Sequence, residues 1–171
     1  NKTPPHRDVP IANAEHRLAM AKIGTAHCPK IIVNDIDLER PAPSYMIDTL
    51  NIIRARVPEQ PICLIVGADV FAKFNLWHNW QQYTDIVHII IVDRADVPLA
   101  IQPWMHALLK KHETNDPIEL MISPAGKIMQ HSIKPIYVSS TEVRKRFSEG
   151  KDVSDLIPRE VYNYIQQHHL Y

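Results

Sequence analysis

The residues best suited to chemistry lie in one short segment, Ser139-Ser140-Thr141 followed by Arg144. A β-branched run ends there and a helical pattern begins, with Glu142 three residues after Ser139, the spacing of a capping box. The free N–H groups and positive end of a helix attract phosphate. Hydroxyl groups of the first turn could donate to phosphate oxygens, and Arg144 could add a forked, charge-assisted contact. The same geometry fits two interpretations, a well-capped helix or a site that binds a polyphosphate.

A second candidate site lies at Gly67 and Asp69, where the apolar run PICLIVGAD ends. Such a run is typical of a strand buried on both faces, hence of a parallel sheet. Ligands of open α/β sheets bind beyond the carboxyl ends of the strands. Gly67 would let a ligand approach the backbone, and Asp69 could accept hydrogen bonds from ribose hydroxyls. The alternative is that Asp69 caps a helix over residues 70–74, and both roles could coexist.

Two further segments are weaker candidates. Trp77 and Trp80, in FNLWHNW, stand at helical spacing, which usually means packing, although a flat ligand ring could stack on Trp77. The opening loop NKTPPHR places Asn1, His6 and Arg7 in a proline-rich setting. A solvated loop is the default interpretation there, and a binding loop is the alternative.

The elements that must position these residues alternate between strands and helices, which predicts an α/β fold with right-handed crossovers. Strands are predicted at residues 30–33, 61–69 and 86–94, as two short strands within 118–132, and at 136–138. Helices are predicted at residues 11–26, at 44–57 with Ser44 as N-cap, at 102–111, at 141–149 before Gly150, and at 159–168. No repeat or linker interrupts the pattern, so a single domain is predicted over residues 1–171.

Composition narrows the function class. The chain has 171 residues, and its 19 basic side chains balance its 19 acidic ones, which disfavours nucleic-acid or membrane binding through net charge. No run approaches the roughly 18 apolar residues of a membrane helix, and there is no signal-peptide pattern. Two cysteines without metal spacing favour a reduced, cytoplasmic protein. The histidines show no metal-ligand spacing, so no protein metal site is predicted.

Taken in order, seven segments resemble one family, the bacterial nicotinate-nucleotide adenylyltransferases. The segments are NKTPPHR, APSYMIDTL, GADVFAKFNLWHNW, VDR, PAGKI, VSSTEVRKRF and LIPREVYNYIQQHHLY. Each is weak alone, but seven in sequence are highly specific. The resemblance implies a Rossmann-like nucleotidyltransferase fold, a mostly parallel sheet with helices on both faces and a small C-terminal helical part.

The resemblance also implies the activity. Such an enzyme transfers AMP from ATP to nicotinate mononucleotide in NAD biosynthesis, giving deamido-NAD and pyrophosphate. The substrate phosphate attacks the α-phosphorus directly, so catalysis depends on positioning and charge stabilisation. A Mg²⁺ ion is expected to travel with the ATP phosphates.

Site residues follow from the matching positions. The resemblance assigns Arg144 and His6 to catalysis. It assigns the ATP site to Gly67, Asp69, Ser139, Ser140, Thr141 and Arg144. It assigns the nicotinate mononucleotide site to Asn1, His6, Ser44, Tyr45, Met46, Trp77, His78 and Arg94.

Three departures from the family pattern stand out. Met46 replaces a usual threonine, and His78 replaces a common tyrosine. Acid-over-amide selectivity survives these changes if backbone N–H groups recognise the carboxylate, and is in doubt if side-chain hydroxyls do. The family's segment Gly-Gly-x-Phe-Asp-Pro-x-His-x-Gly-His has no counterpart in the sequence, so we expect the chain to be an incomplete copy of an active enzyme.

Two alternatives stay open from the sequence. The nearer is a sister adenylyltransferase that acts on nicotinamide mononucleotide or phosphopantetheine. The other is a non-catalytic mononucleotide-binding fragment. Oligomeric state is not predicted.

Overall fold

The computed structural model describes residues 12–41, 43–94, 99–134 and 138–171, and for Arg94 the backbone alone. Contacts divide the chain into two compact units. The sheet unit runs from Tyr45 to Lys134 of the described residues, and the helical unit holds the residues up to Ser44 and those from Val138 onward. The single domain over residues 1–171 stays a prediction.

A three-stranded parallel sheet organises the sheet unit, as the apolar runs predict. Its strands are β1 (Cys63–Gly67), β2 (His88–Arg94) and β3 (Ile128–Ile133), in the order β1-β2-β3. In register, Gly67 pairs with Val92 and Val92 with His131. The strands therefore end at one common edge, where the ligand sites of α/β sheets lie.

The two faces of the sheet differ. Ile89 and Ile91 of β2 are 0% and 1% exposed on the core face. On the opposite face of β1, the side chain of Ile65 is 66% exposed and Cys63 is also exposed. The prediction that β1 is buried on both faces is therefore wrong. β1 is an edge strand of the described sheet, and side chains on an edge strand lack the neighbours that bury a central one.

Helices of the sheet unit pack on its core face. They are α3 (Met46–Arg56), α4 (Ala68–Phe71), α5 (Tyr83–Ile86) and α6 (Pro103–His112), with 3₁₀ turns at Phe74–Leu76, Trp80–Gln82 and Pro117–Leu120. The core contains Ile47, Leu50, Val66, Phe71, Phe74, Tyr83, Val87, Ile89, Ile91, Met105, Leu109 and Ile128.

The helical unit contains α1 (Ala14–Thr25), α2 (Ile36–Glu39), α7 (Ser140–Ser148) and α8 (Arg159–Gln167). α1 and α8 pack together, and Tyr164 contributes a 2.9 Å hydrogen bond between its hydroxyl and Nδ1 of His16. The rings of Phe147 and Tyr162 stack at 5.4 Å and join α7 to α8. Within the described ranges, no helix has the length and apolar character needed to cross a membrane.

Two predicted strands are wrong. Residues 30–33 form no regular structure, and Ile32 is 87% exposed. β-branched residues make a strand only beside a neighbouring strand, and none of the described strands pairs with this segment. The first strand predicted within 118–132 is replaced by the 3₁₀ turn Pro117–Leu120. Asp116 caps that turn by accepting from the Ile118 N–H at 2.9 Å, and proline suits its first position. The second strand of the pair forms as β3. In the segment 136–138, only Val138 lies within the described residues, without regular structure.

Candidate functional site

The first turn of α7 has the geometry of an anion site. Ser139 is the N-cap, and its hydroxyl oxygen accepts from the Glu142 N–H at 3.1 Å. The first intrahelical bond runs from the Val143 N–H to the Ser139 carbonyl at 3.0 Å. The N–H groups of Ser140 and Thr141 precede that bond and so have no acceptor within the helix. Both side chains are exposed, so their outward hydroxyl groups are accessible on the same turn as these two N–H groups.

Arg144 points back at that turn. Its Nη2 donates to Oγ1 of Thr141 at 3.3 Å, and its Cζ lies 6.0 Å from the ring centroid of Tyr171. The guanidinium thus adds a positive charge beside the outward hydroxyl groups. Sequence reasoning did not connect Tyr171 with this turn, because only the path of the chain after α8 brings the ring there.

Arg146 has a different role from Arg144. Its Nε donates to the Glu142 carboxylate at 3.0 Å, and Nη1 lies 3.5 Å from Oδ1 of Asp155. The Glu142 hydrogen bond raises the pKa of Arg146 above its usual value. Of the predicted capping box, the structure therefore shows the hydrogen bond accepted by the Ser139 hydroxyl. The Glu142 carboxylate forms an ion pair with Arg146 in place of its capping bond.

Gly67 and Asp69 lie at the carboxyl end of β1. α4 begins at Ala68 with Gly67 as its N-cap, so the prediction that Asp69 caps a helix over residues 70–74 is wrong. A Cβ atom on Gly67 would lie 2.6 Å from Oδ1 of Asp69, closer than any real contact. The carboxylate of Asp69 therefore folds over the Cα of Gly67, and a side chain at residue 67 would displace it. The exposed Asp69 presents acceptor oxygens at the ligand edge of the sheet.

Asp93 is a feature that sequence reasoning did not single out. It lies at the carboxyl end of β2, on the core face with Ile89 and Ile91, and is 8% exposed. Its Oδ1 is buried and has no hydrogen-bond partner among the residues that the structure describes. A carboxylate in such a position is costly unless a donor is supplied. The sequence signal that could have identified Asp93 is an acidic residue within the apolar run HIIIVDR.

Three aromatic rings and Met46 form the second cluster of predicted site residues. Tyr45 and His78 stack with ring centroids 4.3 Å apart and planes at 21°. Trp77 packs on Phe74 with ring centroids 5.1 Å apart and is half-buried, so part of the residue stays accessible. Met46 begins α3 and is 37% exposed. The rings of Tyr45 and His78 are thus brought together from positions that are 33 residues apart.

Ser44 does not cap α3. The N-cap is Tyr45, and Ser44 is 5% exposed, with its Oγ accepting from Nη2 of Arg40 at 2.8 Å. Arg40 also pairs with Asp37 at 2.9 Å. The N-cap prediction fails because this hydroxyl bonds to a nearby guanidinium instead of a helical N–H.

The predicted site residues fall into three groups. The sheet unit holds Gly67, Asp69, Tyr45, Met46, Trp77 and His78, and the helical unit holds Ser44, Ser139, Ser140, Thr141 and Arg144. Asn1, His6 and the side chain of Arg94 lie outside the described residues. Among the residues with described positions, no three His, Cys, Asp or Glu side chains are grouped so as to hold a metal ion.

Comparison with known proteins places these features in a family. Residues 1–146 match a model of the cytidylyltransferase-like family. A probable nicotinate-nucleotide adenylyltransferase of Acidithiobacillus ferrooxidans is 35% identical over 98% of this chain and 78% of that protein. A protein of the same name from Serratia proteamaculans is 36% identical over 100% of this chain and 79% of that protein.

A solved structure agrees on the fold. The nicotinic acid mononucleotide adenylyltransferase of Plasmodium falciparum, complexed with NaAD, gives a TM-score of 0.66 at 17% identity. It covers 99% of this chain and 78% of its own. At that identity the likeness shows the Rossmann-type fold.

Proposed function

This chain belongs to the cytidylyltransferase-like family and, within it, to the nicotinate-nucleotide adenylyltransferases, and on that premise we propose that it transfers AMP from ATP to nicotinate mononucleotide. The products are deamido-NAD and pyrophosphate. The observation that carries the proposal is identity of 35–36% along the whole chain to proteins of that name.

The reaction forms one bond and breaks one. A phosphate oxygen of nicotinate mononucleotide attacks the α-phosphorus of ATP, and the bond from that phosphorus to the bridging oxygen of the β-phosphate breaks. Pyrophosphate leaves with the electron pair of the broken bond. No protein nucleophile takes part, so the side chains bind, align and neutralise charge.

The first turn of α7 is suited to the polyphosphate. The N–H groups of Ser140 and Thr141, and their hydroxyl groups, supply donors at the positive end of a helix of nine residues. Arg144 lies within 3.3 Å of the same turn and adds a charge that can stabilise the leaving pyrophosphate. We assign Arg144 to catalysis, together with His6 from the resemblance.

Gly67 and Asp69 suit the nucleoside part of ATP. The Asp69 carboxylate would repel phosphate, but it accepts hydrogen bonds from ribose hydroxyls. Its position over Gly67, at the edge where the parallel strands end, is the usual place for a nucleotide in such a sheet.

Nicotinate mononucleotide is assigned to the ring cluster. The accessible part of Trp77 offers a surface for stacking the pyridine ring. Ser44, Tyr45, Met46 and His78 lie near the carboxylate in this assignment. Asn1, His6 and Arg94 complete the assignment on the phosphate side by resemblance.

Mg²⁺ enters the proposal as an ion carried by the ATP phosphates. The described residues offer outward hydroxyl and N–H groups at the α7 turn, which suit phosphate oxygens rather than a cation. The ion would reduce the charge of the triphosphate as the substrate phosphate approaches. We also propose that the protein works in the cytoplasm on small-molecule substrates.

Pyrophosphate release tests the proposal. ATP is supplied with nicotinate mononucleotide, nicotinamide mononucleotide or phosphopantetheine in separate reactions. We expect turnover with nicotinate mononucleotide at least ten times that with the amide. Equal rates with both pyridine nucleotides contradict the acid specificity, and binding of ATP without any pyrophosphate release would favour a mononucleotide-binding module.

A further inference from the structure

The chain reverses direction after α8 in a defined motif. The His169 N–H donates to the Gln166 carbonyl at 3.2 Å, and the Leu170 N–H donates to the Ile165 carbonyl at 3.0 Å. His169 has φ +48°. These two bonds around a left-handed residue form a Schellman motif, in which glycine is the usual residue at that position.

The reversal carries Tyr171 to α7. Its ring centroid lies 6.0 Å from Cζ of Arg144, within the range of a cation–π contact. The ring pair Phe147–Tyr162 joins the same two helices at 5.4 Å. Phe147 is three residues from Arg144, so both contacts lie on one side of α7.

Backbone strain accompanies this placement. Tyr171, like His169, has a positive φ, here +72°. Residues other than glycine seldom adopt a positive φ, and they keep it where their surroundings fix it. Two such residues in three positions indicate that the path of residues 169–171 is held by its contacts, of which Arg144–Tyr171 is one.

We propose that Tyr171 is a positioning residue, whose ring holds the guanidinium of Arg144 over the first turn of α7 in readiness for the phosphates of ATP. The ring faces one side of the guanidinium at 6.0 Å, and Thr141 accepts one hydrogen bond from Nη2. A guanidinium has five N–H donors, so donors remain for phosphate. Arginine otherwise loses considerable rotamer freedom on binding, and a fixed orientation reduces that loss. The inference rests on the proposed function of Arg144.

Three single variants test the inference through the KM for ATP, the KM for nicotinate mononucleotide, kcat and Tm. Tyr171→Leu removes the ring, and we expect its KM for ATP to rise roughly 3- to 30-fold, the range of a cation–π contact, with the other KM unchanged. Tyr171→Phe keeps the ring and should match the wild type. Tyr162→Leu is the matched control, since it removes the other ring contact between the helices and should lower Tm without raising the KM for ATP.

A double variant separates positioning from general damage. If Tyr171 acts through Arg144, adding Tyr171→Leu to Arg144→Ala changes the KM for ATP by less than about twofold. An unchanged KM for ATP in Tyr171→Leu overturns the inference. So does a rise of equal size in the KM values for ATP and nicotinate mononucleotide. So does a Tyr171→Leu effect on the KM for ATP that is as large in the Arg144→Ala protein as in the wild type. A wild type that releases no pyrophosphate contradicts the proposed function instead. The ATP-induced rise in Tm of the same variants then decides the inference.

Discussion

At the scale of single residues, neighbouring arginines of α7 have separate roles that their spacing alone does not reveal. Arg144 faces the first turn and Tyr171, whereas Arg146 is engaged by Glu142 and Asp155. Of these two arginines, Arg144 is the one whose charge lies beside the outward hydroxyl groups of Ser140 and Thr141. Because the two arginines have different contacts, replacing each in turn gives a matched pair of variants within one helix.

Replacing Arg144 with alanine should reduce kcat/KM for ATP roughly 10- to 150-fold. A hydrogen bond to a charged group contributes about 1.5–3 kcal/mol, and each 1.4 kcal/mol is a factor of ten. Arg146→Ala should change it less than twofold, because exposed ion pairs contribute little. Steady-state kinetics at varied ATP, with Tm measured alongside, checks both. Equal losses in the two variants would show that the effect is general to α7.

The substitution Gly67→Ala should displace the carboxylate of Asp69. The added Cβ would lie 2.6 Å from Oδ1, and a terminal carboxylate can rotate away at small cost. We expect a Tm within a few degrees of the wild type and a KM for ATP raised about tenfold or more, as expected when a positioned acceptor is lost. A crystal structure of the variant would show the rotated carboxylate. A wild-type KM for ATP in a variant with that rotation would remove Asp69 from the nucleotide site.

Asp93→Val should increase the free energy of unfolding by about 1–3 kcal/mol, because it removes a buried polar atom that has no partner among the described residues, and valine suits a strand. Denaturant unfolding measures it. Asp155→Val, on the exposed side of the Arg146 pair, serves as the control and should not stabilise the protein. A less stable Asp93→Val protein would mean that this carboxylate is compensated by its surroundings.

At the scale of elements, Arg54 ties several segments of the sheet unit to the end of α3. Its guanidinium lies 2.6–3.2 Å from five backbone carbonyl oxygens. These belong to Val57, Pro58, Gln60, Ile86 and Pro124. The loop after α3, the end of α5 and the turn before β3 are therefore fixed by one side chain, which in turn fixes where β1 and β2 start.

Arg54→Lys should lower the free energy of unfolding by about 2–4 kcal/mol. Lysine keeps the charge but has three donors and no planar fork, so several carbonyl groups, some of them partly buried, lose their partner. Arg56→Lys, at an exposed position of the same helix, is the control and should have little effect. Denaturant unfolding of both proteins measures the difference, and similar values for the two would contradict the role given to Arg54.

At the scale of the whole molecule, the main apolar core of the described residues lies within the sheet unit. Tyr83 is 1% exposed there, and burial, with a smaller contribution from Asp48, raises its pKa from 10.0 to about 12. The neutral phenol is thus favoured in the folded protein. Between pH 10 and 12, the unfolded chain loses this proton while the folded protein keeps it, so stability falls as pH rises.

Alkaline unfolding should reveal this linkage. The Tyr83 ionisation should lower the free energy of unfolding by about 2–3 kcal/mol between pH 10 and 12, at roughly 1.4 kcal/mol for each unit. Tyr83→Phe cannot ionise, so its stability should fall less steeply over the same range. Denaturant titrations at several pH values compare the two proteins. Parallel pH profiles would contradict the pKa of Tyr83.

The sequence by itself determined the features that depend on local chemistry. The apolar runs at residues 61–69 and 86–94 predicted β1 and β2, and Ser139 predicted the start of α7, because burial patterns and caps are set by nearby residues. Seven ordered segments also predicted the family that the comparisons then established.

Only the tertiary structure decided which side chains meet. Residues 30–33 have the composition of a strand but no described partner strand, and the Ser44 hydroxyl bonds to Arg40 rather than capping α3. The contact of Arg144 with Tyr171, 27 residues later, depends on the reversal of the chain after α8. Pairing and long-range packing are properties of the folded chain, since each depends on where distant residues are placed, and local sequence does not encode that placement.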